Sequence, residues 1–274
     1  MLLRKTDAFL TEEHLQRYTP SVFTMEKSAS TSDRYQHIST IDVIRGLASE
    51  GFKPVNAVEC RARSYENKPF TKHMLRFRHV DTNSTNDGLF PELVLINSHN
   101  GLSSYKLIAG LYRLICSNGL VAGETYNQIR VRHQGDIIDR VIEGTYEVMK
   151  SAPKLLEQTS AMKSIILSPQ EKQIFAEAVH DIRFANDKTL AKEAIKPEYF
   201  LRPKRYAEAD KHDLFTTFNI TQENTIKGGL RGWARDDKGY AHRTTTRAIK
   251  SIDQSTHLNR ALWSLAEKML QLKS

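Results

Sequence analysis

Six arginines sit at alternating positions of three stretches rich in apolar residues. Arg61 and Arg63 belong to KPVNAVECRARS, Arg76 and Arg78 to KHMLRFRHV, and Arg130 and Arg132 to YNQIRVRH. Successive side chains of a β-strand point to opposite faces, so each pair shares one face. A row of guanidinium groups is what a groove that tracks phosphates needs, and aromatic rings give unstacked bases a surface. Tyr65, Phe77, Tyr105, Tyr112 and Tyr126 are close in sequence, and Tyr105 or Tyr112 is the stacking candidate. The competing reading has these arginines solvated, or paired with Glu59, Glu92 and Glu124.

A second anion-contacting region is Lys227-Gly228-Gly229 with Arg231, followed by Arg243 and Arg247 among three threonines. Backbone N–H groups of a Gly-rich loop can cradle a phosphate, but the spacing is not that of a P-loop. His73, His79, His99 and His133 match no metal-ligand spacing, so hydrogen-bonding histidines are expected and no metal or other cofactor. Cys60 and Cys116 read as two buried thiols of a reduced compartment. A Cys116–His99 nucleophile pair is conceivable, yet Ile115 beside Cys116 points to burial, and no GxSxG elbow occurs. No catalytic residue is assigned.

The elements that must position these residues follow from pattern. Residues 1–35 read as an N-terminal arm rich in Ser, Thr and charge. A short helix is expected over Ile41–Glu50, then strands Lys53–Ser64 and Lys72–Val80. Asn100-Gly101 and Asn118-Gly119 are hairpin turn signals inside a meander of Glu92–Ser98, Tyr105–Cys116 and Tyr126–His133. Ser104–Ile115 also fits a helix, through Leu107, Leu111 and Leu114. Asp136 starts a long helix, Ile137–Lys150, which Pro153 ends or kinks.

Beyond residue 160 the pattern turns helical. Ser168-Pro169-Gln170-Glu171 is a capping signal for a helix to about Phe184. Lys196–Ala207 reads as a loop, Asp213–Gln222 as a helix, Lys227–Tyr240 as a loop, and Ser255–Leu272 as a final helix. The expected class is α+β: an antiparallel meander sheet packed by a long helix over residues 36–160, then a mainly helical region, 161–274, packed on it.

The 274 residues contain 39% hydrophobic and 26% charged residues, which describes a globular chain with a substantial core. Its net charge of +8 permits contact with polyanions without requiring it. No run of about 18 apolar residues occurs, and the polar, acidic N-terminus leaves no room for a signal-peptide core, so a cytoplasmic protein is expected.

The combination of KHMLRFRH, NSHNGLSSYKLIAGLYRLICSNGL, QENTIKGG and TRAIKSIDQSTHLNRALWSLAEKML resembles the YafZ/YfjQ/YubP family, from about Ser39 to the C-terminus. That resemblance implies an uncharacterised family found on plasmids and in prophages, and carries no catalytic residues. The order of elements is also similar to the core of single-strand annealing proteins, which form rings and hold single-stranded DNA in a basic groove. The expectation is therefore a DNA-binding protein of a mobile element, taking single-stranded DNA in a groove lined by the six arginines, without covalent chemistry, and a homo-oligomer. The alternatives are a factor that binds a host defence or repair protein, and a hydrolytic or nucleotide-handling enzyme using Cys116, His99 or the Lys227 loop.

Overall fold

A computed structural model of the chain describes residues 9–29, 31, 37–62, 64–85, 88–100, 104–113, 119–121, 128–132, 136–185, 187 and 189–274. The chain forms two compact units, Met1–Pro153 and Lys154–Ser274.

The first unit is built on a six-stranded antiparallel sheet. Its elements are α1 (Glu12–Tyr18), α2 (Thr40–Ser49), β1 (Phe52–Glu59), β2 (His73–His79), β3 (Leu89–Asn97), β4 (Tyr105–Arg113), β5 (Gly119–Val121), β6 (Ile129–Val131) and α3 (Ile137–Met149). Strands β1 to β4 lie in sequence order, and β5 and β6 both pair with β4, at its two ends. This is the α+β class expected from the pattern. The stretch that fitted both strand and helix is a strand. Leu107, Ala109 and Leu111 lie on one face of β4 and Ile108 and Tyr112 on the other, and all are buried. A strand covered on both sides carries apolar residues at every position, and that imitates a helical stripe.

Helices α2 and α3 pack on one face of the sheet, over Leu75, Phe77, Leu93, Leu95 and Leu107. Gly144 of α3 permits the approach, since a β-carbon there would lie 2.8 Å from Leu107 Cδ1. Polar groups pin the N-terminal segment to the same sheet. The stretch read as an arm contains α1, capped by Thr11, and a 3₁₀ turn at Pro20–Phe23, with Leu15 and Val22 buried. Ser21 Oγ lies 2.9 Å from His73 Nδ1, and the Thr40 hydroxyl meets His73 Nε2, His99 Nε2 and Asn97 Nδ2 at 3.0, 3.1 and 3.1 Å. The Thr71 carbonyl, 3.2 Å from His73 Nδ1, can only accept, so that nitrogen carries the proton and Nε2 accepts from Thr40. With its single proton given to His73, the Thr40 oxygen accepts from Asn97 and from His99 Nε2–H. His73 and His99 are hydrogen-bonding histidines, as the spacing suggested.

Some boundaries differ. The strand expected over Lys53–Ser64 stops at Glu59, whose carboxylate turns to accept the Ser21 N–H at 2.9 Å. Arg61 therefore lies past the strand end, and Arg63 lies outside the described residues. Helix α3 closes at Met149, four residues before Pro153, and Pro153 itself sits in the first turn of a following helix, α4 (Ala152–Ser164), where the missing N–H is not needed.

The second unit continues with α5 (Pro169–Phe184), α6 (Ala191–Ala194), α7 (Tyr206–Ala209), α8 (Leu214–Lys227), β7 (Arg231–Arg235), β8 (Ala241–Thr245) and α9 (Ile252–Lys273). The Ser168/Glu171 capping box forms as its sequence signal requires. Every residue of α8 from Leu214 to Thr225 is buried. Its polar side chains turn to partners: Gln222 donates to Asn259, Asn224 to the Phe200 and Arg202 carbonyls, and Glu223 accepts from Arg205 and Lys227. A polar sequence thus makes a core helix, which is why it appeared to stop early. Two segments expected as loops are ordered otherwise. Lys196–Ala207 contains a 3₁₀ helix, Pro197–Leu201, and the start of α7. Lys227–Tyr240 contains strand β7, which pairs with β8 as a ribbon. No described helix is long and apolar enough to cross a membrane.

Candidate nucleic-acid interface

The ribbon starts where α8 ends. Gly229 N–H donates to the Thr246 carbonyl at 2.9 Å, Thr246 N–H to the Leu230 carbonyl at 2.9 Å, and Leu230 N–H to the Thr246 hydroxyl at 3.0 Å. At the far end Asp236 organises the turn. Its Oδ1 accepts the N–H groups of Lys238 and Tyr240 at 3.0 and 2.9 Å, and its Oδ2 lies 2.9 Å from His242 Nε2. The His242 contact, with those backbone donors, holds the Asp236 carboxyl below its usual value. The Arg235 guanidinium closes the turn by donating to the Gly239 carbonyl at 2.8 Å.

One face of the ribbon is seated and the other is open. Gly232 is buried, and a β-carbon there would collide with the Ala194 carbonyl. The opposite face carries Arg231, Trp233 and Arg235 at alternate positions of β7, with Arg243 directly across from Trp233 and Thr245 across from Arg231. All five are exposed, Trp233 to 66% and the adjoining turn residue Tyr240 to 67%. An indole left in water between guanidinium groups is unusual for a residue that contributes most when buried. Stacking under an unpaired base, with arginines beside it for the flanking phosphates, would use that arrangement fully.

The five described sheet arginines do not form the single groove expected of the six. Arg76 and Arg78 share a face of β2, as the period of two requires, but both are buried against Glu92 of β3. Arg78 donates to Glu92 Oε1 at 2.7 Å and lies over Phe90 at 3.5 Å; Arg76 lies over Tyr112 at 3.9 Å, its Nε 3.5 Å from Glu92 Oε2. Burial raises the Glu92 carboxyl, against the pull of both arginines. Arg130 is exposed on β6 opposite Lys106, and Arg132 and Arg61 are exposed beyond strand ends. The proposed stacking rings are enclosed: Tyr105 is fully buried and its hydroxyl donates to the Ile38 carbonyl, and Tyr112 is covered by Arg76. Lys227 is held by Glu223 at 2.8 Å, not offered by a Gly-rich cradle, and Arg247 is exposed just past the ribbon. His99 is buried beside Thr40, while Cys116 and His133 lie outside the described residues.

Of the predicted residues, the structure brings Arg231 and Arg243 together. It adds Trp233 and Arg235, which sequence reasoning passed over. The signal was present: RGWAR alternates at period two ahead of an Asp-Asp-Lys-Gly turn. Four glycines nearby made the stretch read as loop.

A family model described as Domain of unknown function (DUF932) matches residues 27–263. The chain belongs to this family. It is 42% identical over 268 residues, 98% of this chain and 94% of the relative, to the UPF0380 protein YfjQ of Escherichia coli K12, and equally to the UPF0380 protein YafZ of the same organism. Membership in DUF932 agrees with the resemblance read from the sequence motifs. No solved structure matches, so the suggested likeness to single-strand annealing proteins finds no support.

Proposed function

We propose that this DUF932 protein binds single-stranded DNA through its β7–β8 ribbon, in the cytoplasm, as part of a mobile element and without covalent chemistry. The observation that carries the reading is the open ribbon face, where three exposed arginines surround an exposed tryptophan. The guanidinium groups supply a sequence-independent attraction for phosphates, and the indole supplies a platform any base can use. Preference for a single strand follows from the stacking, because duplex bases present no free face. The basic balance of the chain, +8, favours the same class of partner.

Filter binding of an unstructured oligonucleotide, single-stranded and as duplex, tests this. Arg231→Ala with Arg243→Ala is expected to lower affinity for both forms. Trp233→Ala is expected to lower single-strand affinity about tenfold or more, the usual worth of one stacked base, and to affect duplex little. Equal affinity of the wild type and both variants for the single strand would remove the reading.

A further inference from the structure

The sheet face opposite α2 and α3 holds an imbalance of charge that the ribbon does not explain. Arg76, Arg78 and Glu92 are 8%, 6% and 1% exposed, so two guanidinium groups share one carboxylate inside the protein. Arg78 takes that carboxylate directly, through Nη2 at 2.7 Å and Nε at 3.3 Å on Oε1. Arg76 stands apart. Its Nε is 3.5 Å from Glu92 Oε2, beyond a good hydrogen bond, and both of those buried atoms lack a hydrogen-bond partner. The Arg76 side chain makes no hydrogen bond to any described residue; its ionic and ring interactions are this one ion pair and the Tyr112 ring at 3.9 Å. The strand register adds Lys106 and Arg130 to the same face, and Glu92 is the one acid at its described strand positions.

A buried guanidinium with five donors and no acceptor is expensive, and an excess positive charge beside it more so. Stacking on Tyr112 covers one flat face of Arg76, and its donors lie in the plane of the guanidinium, where an oxyanion would meet them edge-on. We propose that Arg76 anchors a site for one phosphate group, bound edge-on by the guanidinium and neutralising the charge that Glu92 leaves over. The edge geometry suits the paired oxygens of a phosphate, and a singly charged form brings the cluster to neutrality. This site is independent of the ribbon.

The test is thermal unfolding of the full chain in inorganic phosphate against chloride at matched ionic strength. Phosphate is expected to raise Tm in a saturable way. Arg76→Gln should abolish that rise, and Arg76→Lys, which keeps the charge but loses the planar fork, should move its midpoint at least tenfold higher. Glu92→Gln, which removes the competing carboxylate, should move the midpoint about tenfold lower. Arg231→Ala with Arg243→Ala should leave the response unchanged, which separates this site from the ribbon. Equal behaviour in phosphate and chloride overturns the proposal, as does a phosphate response that survives Arg76→Gln. Should Arg76→Gln fail to fold, an unchanged or weakened response in Glu92→Gln overturns it as well.

Discussion

His73 shows how far a single buried side chain reaches. It is fully enclosed and its pKa is lowered to about 4, chiefly by burial, with the Thr71 carbonyl opposing. The neutral ring is the folded form, so the unfolded chain binds the additional proton. Stability is complete above the ordinary histidine range near 6.5 and falls as pH drops from there to about 4. A shift of that size corresponds to about 3 kcal/mol at most. Urea unfolding at pH 7 and pH 4.5 should show the loss, and His73→Gln should flatten much of it. Thr40→Val belongs to the same scale. It removes the hydroxyl shared by His73, His99 and Asn97, and should destabilise by about 2–4 kcal/mol through polar groups left buried without it. A midpoint unchanged by Thr40→Val would show that the cluster does not hold the N-terminal segment.

Elements were legible in proportion to how locally they are determined. The Ser168 capping box of α5 and the Asp136 cap of α3 are contained in a few adjacent residues, and both formed as expected. Ser168→Ala should cost about 1 kcal/mol in Tm-derived stability, the usual value of such a cap. Tertiary context decided the remainder. β4 resembles a helix because both of its faces are buried, and α8 looked short because Gln222, Glu223 and Asn224 find partners inside the unit. Arg76 and Arg78 were placed correctly on one face, but alternation could not show that Glu92 and the rings of Phe90 and Tyr112 enclose them. The ribbon was hidden for the opposite reason. Glycines mark it as loop, whereas Gly232 is required by contact with Ala194, in another element. Gly232→Val should therefore unseat the ribbon and lower DNA affinity while leaving the far-ultraviolet helix signal nearly intact. Wild-type affinity in that variant would mean that the seating is dispensable.

At the scale of the whole molecule, a net charge of +8 says only that polyanions are attracted. Where such a partner lies depends on which basic residues remain in water. The sheet unit buries its two central arginines beside Glu92, and the second unit carries exposed ones on an open ribbon. The central claim is that a base stacks on Trp233, and the chain contains its own reporter for this. Of its two tryptophans, Trp263 is fully buried and Trp233 is exposed. Intrinsic fluorescence should be quenched on adding an unstructured single-stranded oligonucleotide, and Trp233→Phe should remove the change. Across a salt series the affinity from this signal should fall with a log–log slope of about −2, the value for some three phosphate contacts on a single strand. Fluorescence unmoved by saturating oligonucleotide, or quenching that persists in Trp233→Phe, would contradict the account.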